Sequence, residues 1–393
     1  MKIKKSVSIM EIVIPFFYII NQYNIGTLPL GLVVLTGALI WHYFNHGKII
    51  FYRPFILFFG FMIFHDIIKI VIVPFNVGLW VERLIYFIFL LSITEQVDED
   101  NLYKVWRFVG IIAIIGIYIQ SFQVYILNKP VTMIKIFPFL SSNSSNYLIE
   151  YMRPHSFFLE PAAYVTWILP LLCMCMERKK TIFSILISIS ILLSTSSIGC
   201  VMTGVIWLYY AFSGKGENKK GFYRFTIFAI LIIGLAIFIN ADVFSETINK
   251  LTSISLNNTS NYVRIAFGIQ LFISLPILYK FFGIPYGNIV SYLMSGNVDL
   301  AKFGLNTDIS YLGFVNSISN CAILYGFFGL FFYMNFYYKL LKNINKRYRC
   351  FFIICFLSIF AQSVFWNSLF VTQFSVLLGC ALKGNYKSIK WRR

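Results

Sequence analysis

The sequence predicts an all-α, polytopic integral membrane protein: one membrane domain over residues 1–393, with about 12 transmembrane helices. Three observations predict it: 59% of the residues are apolar, only 12% are charged, and the mean hydropathy is +0.75. Soluble domains typically carry about 45–50% apolar and about 25% charged residues. No soluble interior of this size could bury 43 Phe and 25 Tyr. The composition therefore excludes a soluble enzyme, a disordered chain and a nucleic-acid-binding domain.

Apolar runs of spanning length recur along the chain. A transmembrane helix needs about 20 mostly apolar residues. The first run follows Met-Lys-Ile-Lys-Lys with no small-residue cleavage site after it, so it is interpreted as an uncleaved span rather than a signal peptide. The predicted spans are 8–21, 26–44, 49–73, 77–95, 106–127, 157–176, 181–196, 198–213, 225–241, 311–338, 350–366 and 367–383.

The basic residues predict the orientation. Lys and Arg accumulate on the cytoplasmic side of membrane proteins. With both termini in the cytoplasm, most of the 33 basic residues fall in predicted cytoplasmic segments. The predicted outer segments hold only Lys129, Lys135, Arg153, Lys250, Arg264, Lys280 and Lys302. This bias explains the net charge of +18 without a nucleic-acid partner.

Two predicted outer connections are long, residues 128–156 and 242–310. Loops of this length in a membrane domain are usually functional or disordered. Residues 262–283 are apolar enough to span, but a further span would turn the basic stretch 339–349 outward. Pro276 and the flanking cations favour an amphipathic helix lying in the plane of the outer interface.

The first candidate site lies where the first long loop meets the sixth predicted span. Pro154 and Pro161 bias Arg153 and Glu160 toward extended backbone, and Pro161 suits the first turn of a helix. A carboxylate at a helix start is favoured by the helix dipole. Two interpretations stay open: Glu160 caps the helix and pairs with Arg153, or it belongs to a site together with His155.

Two further segments offer polar groups on the predicted outer side. Arg264 begins the in-plane helix, and its guanidinium fork suits phosphate oxygens, either of a substrate or of lipid headgroups. Residues 194–199, Ser-Thr-Ser-Ser-Ile-Gly, form the turn of a predicted helical hairpin. Small residues there favour close helix packing, and their hydroxyls offer sugar binding as the alternative.

Charged residues inside the third and fourth predicted spans form a third group. Asp66 and Lys69 precede the connecting turn by about the same distances as Arg83 and Glu82 follow it. Because unpaired charges inside a membrane cost roughly 2.5–3.5 kcal/mol each, the spacing predicts pairs Asp66–Arg83 and Lys69–Glu82. Such pairs are either purely structural or a wall for an anionic lipid head.

The cysteines and histidines predict no metal site. The seven Cys are scattered, odd in number and without a C-x-x-C motif, which is typical of small buried hydrophobic residues. His155 is the only His on the predicted outer side. We therefore expect no cofactor and no tightly held metal.

Several motifs resemble those of Wzy-type O-antigen and capsule repeat-unit polymerases. R-P-H-S-F-F-L-E-P-A-A-Y at 153–164 resembles the loop-to-helix junction of that family, and L-L-S-T-S-S-I-G at 192–199 resembles its small-polar turn. Arg264, the helix after it and G-I-P-Y-G at 283–287 are similar to the second long outer loop. N-S-I-S-N-C-A-I-L-Y-G-F-F-G at 316–329 is similar to the span that follows.

The sequence departs from the family pattern at two positions. Val315 stands where the related O-antigen ligases often have a His, which argues against a ligase. Tyr325 stands where an acidic residue often precedes the late glycine.

The resemblance implies a glycosyltransferase of the bacterial plasma membrane. Such an enzyme moves a growing glycan from undecaprenyl pyrophosphate to the non-reducing sugar of another lipid-linked repeat unit, and so builds a capsule, O-antigen or exopolysaccharide. Its implied partners are this glycan, membrane lipid, and a chain-length regulator and flippase of the same pathway.

The residues suit that chemistry. Arg153 and Arg264 are predicted to clamp the pyrophosphate leaving group. Glu160 is the first choice as base for the attacking hydroxyl, His155 the second and Asp308 the third. Asn316, Arg83 and Lys69 are secondary candidates. The alternatives are a polysaccharide flippase, disfavoured by the long outer loops and few central charges, and a ligase of the same fold.

Overall fold

The structure is a computed structural model that describes residues 7–46, 52–73, 77–94, 96–142, 151–212, 229, 262–296, 298 and 309–383. The described chain is mostly helical, as the long apolar runs predict. The first half contains α1 (Ile9–Ile20), α2 (Leu30–His46), α3 (Arg53–Ile72), α4 (Val77–Ile93), α5 (Glu99–Tyr125), α6 (Pro161–Glu177), α7 (Thr181–Leu193) and α8 (Ser197–Phe212).

Shorter elements begin the second half. A π-helical turn (Tyr262–Phe267) leads into α9 (Gly268–Ser274), followed by α10 (Ile277–Phe282), α11 (Ile289–Met294) and α12 (Ile309–Leu312). Then come α13 (Ser317–Asn343), a 3-10 turn (Lys346–Tyr348), α14 (Arg349–Ala361), α15 (Ser368–Val376) and a π-helical turn (Leu377–Ala381).

Three of these helices, α3, α5 and α13, are long and apolar enough to cross a membrane. Seven further apolar helices in the described chain are shorter, at 10–17 residues. The helical fold is therefore confirmed. The predicted span 225–241 lies outside the described residues apart from Ala229.

The predicted in-plane helix 262–283 is interrupted. Pro276 separates α9 from α10, because proline lacks an N–H and disfavours helical backbone in the residue before it. Large apolar side chains on both pieces are exposed, among them Ile273 and Ile277. The segment is thus two short helices, each with an apolar exposed face.

Helix α13 is broken at Gly326, where φ is +66° and ψ is −166°. A Cβ at Gly326 would collide with the backbone carbonyl of Phe281, so the left-handed glycine allows α10 to cross α13 in direct contact. The carbonyls freed by the break are satisfied: Ile323 O accepts from Ile284 N at 2.9 Å, and Leu324 O accepts from Lys69 Nζ at 2.7 Å.

A small antiparallel sheet was not predicted. Strands β1 (Tyr23–Ile25), β2 (Leu28–Pro29) and β3 (Ser141–Ser142) are two or three residues long, and β1 lies in the middle. Pairing of Tyr23 with Ser142 attaches the loop after α1 to the first long loop. The sheet therefore holds two distant segments at one end of the helical body.

Charged residues meet at the opposite end. Arg178 pairs with Glu99 at 2.7 Å, Arg347 pairs with Glu99 at 3.1 Å, and Arg347 reaches Glu177 at 3.7 Å. These four residues are called the ion-paired end. They join the start of α5, the end of α6 and the turn after α13, all of which the sequence predicts to be cytoplasmic.

Candidate functional site

A cavity of about 430 Å³ opens at the end of the body opposite the ion-paired end. Its volume is within the range typical of small-molecule sites, about 300–1,000 Å³. Among the described residues that line it, Glu160 and Arg264 are the only charged ones. The other lining residues come from the end of α1, the start of α6 and the connection before α15, and include Tyr18, Asn21, Gln22, Thr166, Gln362, Ser363, Asn367 and Ser368.

Glu160 is the N-cap residue of α6, as the sequence predicts. Its backbone is extended, with φ −152° and ψ 157°, because Pro161 occupies the first helical position. Its side chain makes no capping hydrogen bond. The capping interpretation is therefore wrong in that respect, and the exposed carboxylate lines the cavity beside a helix start that favours negative charge.

Two glutamines fix the chain leading into Glu160. Gln22 donates from Nε2 to Phe157 O at 3.3 Å and accepts from Leu159 N at 2.9 Å. Gln120 accepts from the backbone N–H groups of His155 and Ser156 at 2.8 and 2.6 Å. Sequence reasoning missed both, since an isolated glutamine in an apolar run shows nothing about a partner more than 30 residues away.

Arg264 lies in the π-helical turn and is half-buried at the cavity wall. Its carbonyl accepts from Asn316 N at 3.0 Å. Asn316 in turn caps α13 by accepting from Ser319 N at 2.8 Å. Asn316, a secondary candidate in the sequence, thus anchors the backbone of Arg264 and is not itself among the residues that line the cavity.

The wall opposite α6 comes from the connection between α14 and α15. Gln362 accepts from Thr166 Oγ1 at 2.9 Å, which ties this wall to the helix of Glu160. The Gln362 carbonyl accepts from both the backbone N and the Oγ of Ser317, at 2.9 and 2.7 Å. The start of α13, to which the backbone of Arg264 is bonded through Asn316, and the wall of the cavity are thereby held together.

Glu160 and Arg264 are uncompensated within the described chain. Neither is within ion-pair distance of an oppositely charged described side chain, and neither side chain has a hydrogen bond to another described residue. Within the described residues, the cavity therefore presents one carboxylate and one guanidinium that no other side chain neutralises.

Arg153 does not line the cavity. Its guanidinium donates to Thr195 twice, from Nε to Oγ1 at 3.0 Å and from Nη2 to the carbonyl at 2.7 Å. Thr195 has a φ of +49° in the turn between α7 and α8, so the arginine stabilises a strained turn. The predicted convergence of Arg153 and Arg264 in one site is not what the geometry gives, and the predicted pair of Arg153 with Glu160 is absent from the described contacts.

The 194–199 stretch serves packing in this structure. Ser194 is buried and donates to Ile191 O at 2.6 Å, and Gly199 lies against Val165 and Ile191 where a Cβ would crowd both. This agrees with the close-packing interpretation of the small residues.

His155 is buried, with 1% of its surface exposed, and it does not line the cavity. Its Nδ1 donates to Arg153 O at 2.9 Å, while Nε2 is buried with no partner among described residues. Burial lowers the pKa of His155, and this outweighs the hydrogen bond to the Arg153 carbonyl, which raises it; the charge of Arg153 lowers it further. The imidazole is therefore neutral near pH 7 and out of reach of a ligand in the cavity.

Tyr151 is influenced by the charges of both Glu160 and Arg153. Burial raises the pKa of its phenol; the Glu160 carboxylate raises it further and the Arg153 guanidinium lowers it. Both charges thus act on one ring, although Arg153 is not among the residues that line the cavity.

Of the two ion pairs predicted between α3 and α4, one is confirmed and the other is wrong. Arg83 pairs with the fully buried Asp66 at 2.7 Å. Lys69 approaches the same carboxylate at 3.7 Å and lies over the Tyr325 ring at 4.4 Å. Glu82 accepts from the Tyr86 hydroxyl instead of pairing with Lys69.

Tyr325 completes this buried cluster of Asp66, Lys69, Arg83 and Tyr325. Its hydroxyl donates to Asp66 at 3.0 Å and accepts from Arg83 at 3.2 Å. Arg83 also donates to Gly287 O at 2.9 Å. The cluster therefore fastens residues 283–288 and the break in α13 to the α3–α4 hairpin, which is a structural role for Lys69 and Arg83.

Asp308 lies outside the described residues. Within the part of the chain that is described, no group of three or more His, Cys, Asp or Glu side chains is arranged to hold a metal ion.

Comparison with known proteins adds no family. No protein-family model matches the sequence, and no curated protein matches it.

Proposed function

We propose that the chain is a membrane-embedded glycosyltransferase that polymerises lipid-linked oligosaccharide repeat units, in the manner of the Wzy-type polymerases its motifs resemble. The observation that carries the proposal is the 430 Å³ cavity, where the described lining residues include just two charged groups, a carboxylate and a guanidinium that no other described side chain neutralises. Donor and acceptor are both glycans on undecaprenyl pyrophosphate.

Each charged residue has a role in the transfer. The acceptor hydroxyl oxygen forms a bond to the anomeric carbon of the donor while the bond from that carbon to the pyrophosphate oxygen breaks. Glu160 takes the proton of the attacking hydroxyl as general base. Arg264 stabilises the negative charge that develops on the leaving pyrophosphate, for which its bidentate fork is well shaped.

Arg153 acts by positioning. In this mechanism it holds the α7–α8 turn and, through its carbonyl, the His155 ring. Its replacement should loosen the chain that leads into Glu160 and lower the rate, while direct contact with the pyrophosphate belongs to Arg264.

A membrane setting supports the proposal. In α3 only a third of the apolar window is buried, and its exposed residues include Val71 at 84% and Ile72 at 64%. Exposed apolar surface of this extent suits lipid. We infer the plan of about 12 spans with both termini cytoplasmic, because the positive-inside rule then places the ion-paired end in the cytoplasm and the cavity at the outer face of the plasma membrane.

Deletion of the coding sequence, followed by gel analysis of the surface glycan, tests the proposal. A polymerase deletion leaves single repeat units on the carrier or acceptor. A ligase deletion leaves long polymer on the carrier lipid, and a flippase deletion leaves units inside the cell. Unchanged polymer in the deletion strain would contradict the proposal.

Complementation tests the role of Arg264. Arg264→Ala should fail to restore polymer, a loss of about 10²–10³ in rate, while Arg264→Lys restores it poorly because Lys lacks the fork. Lys129→Ala is the matched control, since Lys129 is an exposed cation of the first long loop that does not line the cavity. Equal chain length with Arg264→Ala and Lys129→Ala would remove the pyrophosphate role.

A further inference from the structure

Four basic residues share one surface near the ion-paired end. Lys104 and Arg107 are one turn apart on α5, and Lys179 and Lys180 lie in the connection between α6 and α7. The Arg107 guanidinium lies over the Phe183 ring at 5.5 Å, and Phe183 is one turn after Lys180. Since residues three apart on a helix are neighbours, this contact brings the two pairs of cations together. These four residues are called the basic cluster.

The described protein does not compensate the charge of the basic cluster. All four side chains are exposed, and none of them forms an ion pair with another described residue. Asp100, one turn before Lys104, is already paired with Arg178 at 2.6 Å. The first turn of α7 contains no acidic residue. The surface therefore presents four positive charges to whatever lies beside it.

Lys179 occupies a backbone position that usually holds glycine. The C-terminus of α6 is a Schellman motif, in which Lys179 N donates to Met176 O at 3.0 Å and Lys180 N donates to Cys175 O at 2.9 Å. The φ of Lys179 is +55°, a left-handed conformation that is unfavourable for a residue with a Cβ. A cation is favourable at a helix C-terminus, but Arg178 and Lys180 already supply one on either side. The strained lysine thus indicates a role for its charge outside folding.

Exposed apolar side chains continue from the basic cluster along α5 and α7. On α5 they follow Lys104 and Arg107 at helical spacing, so that one exposed stripe changes from basic to apolar. Tyr118 Oη donates to Leu186 O at 3.0 Å, which keeps the two helices side by side. The members of this apolar stripe are 38–79% exposed and are Phe108, Ile111, Ile112, Ile182 and Leu186.

The two parts of this surface together indicate the class of ligand. Phosphate oxygens suit Lys and Arg, and exposed apolar side chains suit hydrocarbon. A soluble anion would meet the cations and leave the apolar stripe uncovered. A phospholipid with a negatively charged headgroup has a phosphate joined directly to its acyl chains, in the same order as the cations and the apolar stripe. Basic clusters next to transmembrane helices are typical sites for such headgroups.

We propose that the basic cluster binds the headgroup of an anionic phospholipid, whose acyl chains lie along the apolar stripe of α5 and α7. The positive-inside rule assigns this end to the cytoplasmic leaflet, whereas the larger cavity lies at the opposite end. The bound lipid is therefore separate from any ligand of that cavity, and the site does not depend on the proposed function.

Lipid titration of the full-length protein in an uncharged detergent tests the site. Binding of phosphatidylglycerol is measured as a rise in the midpoint of thermal unfolding. Lys104→Gln combined with Lys180→Gln removes two charges that form no described ion pair, so the affinity should fall about 10- to 30-fold. Phosphatidylcholine with the same acyl chains has no net charge and should bind the wild type about 10-fold more weakly or less.

Lys339→Gln combined with Lys342→Gln is the matched control. These are two exposed cations of α13 at the same predicted side of the membrane, outside the basic cluster. The control should keep the affinity for phosphatidylglycerol within about 2-fold of the wild type. Equal losses in the two double variants would overturn the site, because the whole basic face would then attract the lipid without a particular binding surface.

Lys179→Gly separates binding from folding. Glycine relieves the left-handed strain, so the unfolding midpoint without lipid should equal or exceed that of the wild type. The affinity for phosphatidylglycerol should nevertheless fall about 5-fold, because one charge is lost. A lower midpoint with unchanged affinity would overturn the role of Lys179 in binding.

Two further outcomes would overturn the identity of the ligand. Equal affinities of the wild type for phosphatidylglycerol and phosphatidylcholine would show that the headgroup charge is not recognised. Inorganic phosphate that raises the unfolding midpoint as much as phosphatidylglycerol at the same concentration would show that the acyl chains contribute nothing.

Discussion

The two ends of the helical body use the same types of charged residue in opposite ways. At the ion-paired end Glu99 is shared by Arg178 and Arg347. At the cavity Glu160 and Arg264 line one space without an opposite charge within reach in the described chain. Charges that meet each other hold elements together, whereas charges left for a ligand stabilise only the complex. The comparison therefore separates structural from functional charges by geometry, which residue type alone does not do.

The cavity side of the comparison predicts the largest effect. Glu160→Gln keeps the size and polarity of the side chain but removes the base, so the transfer rate should fall about 10²–10⁴-fold. The midpoint of thermal unfolding should stay the same, because the carboxylate makes no capping bond and no described ion pair.

Polymer length in the complemented deletion strain and the unfolding midpoint of the purified protein give the two readouts. Glu160→Asp, which retains a carboxylate on a shorter stem, should keep part of the activity. If Glu160→Gln had a lower unfolding midpoint than the wild type and still made polymer, Glu160 would be a structural residue and not the base.

The buried cluster is the extreme case of paired charge and predicts a loss of stability. Asp66→Asn leaves Lys69 and Arg83 without their carboxylate, and breaking a buried pair typically costs about 3–5 kcal/mol. The amount of folded protein and its unfolding midpoint in detergent measure this loss. Asp100→Asn is the matched control, since Asp100 pairs with Arg178 while 70% exposed and should cost at most about 1 kcal/mol. Equal unfolding midpoints for the two variants would show that the cluster is not structural.

The sequence predicted the features that depend on local backbone rules or simple spacing. Pro161 located the start of α6 and hence the position of Glu160, because a proline suits the first helical turn, where its missing N–H is not needed. The Asp66–Arg83 pair followed from equal distances to a turn. The first rule uses only adjacent residues, and the second uses only residues of one helical hairpin.

The remaining contacts join segments that no periodic pattern relates. Lys69 binds Asp66 and Leu324 O rather than Glu82, because the break at Gly326, 257 positions along the chain from Lys69, frees a carbonyl beside it. Arg153 binds the carbonyl of Thr195, an acceptor that every residue carries and that sequence therefore cannot single out. Glu160, the first choice as base, and Arg264 both line the cavity, whereas Arg153 does not.

Arg178 tests the ion-paired end. Arg178→Ala removes contacts to Glu99 at 2.7 Å and Asp100 at 2.6 Å, together with a guanidinium over the Tyr103 ring at 4.5 Å. Because these groups are partly exposed, the free energy of unfolding should fall by only about 1 kcal/mol, and less at 1 M salt. Polymer length should be unchanged. Loss of polymer with a normal unfolding midpoint would mean that Arg178 has a functional role. It would contradict the conclusion that charges at the ion-paired end are structural.

The smallest effect is expected at His155, and it shows whether this buried ring has a structural role. Burial and Arg153 lower the pKa of His155 in the folded chain, whereas the unfolded chain keeps a value of about 6.5. The unfolded state thus binds more protons as the pH falls below about 6.5, so the stabilisation by the neutral ring is complete above that pH and is lost below it. His155→Asn cannot titrate at this position. Its free energy of unfolding should therefore fall less between pH 7.5 and 5.5 than that of the wild type, with a difference in slope of at most about 1.4 kcal/mol per pH unit. Identical slopes would mean that the ring is already protonated or accessible in the folded protein, and His155 would then return as a rival to Glu160 for the proton of the attacking hydroxyl.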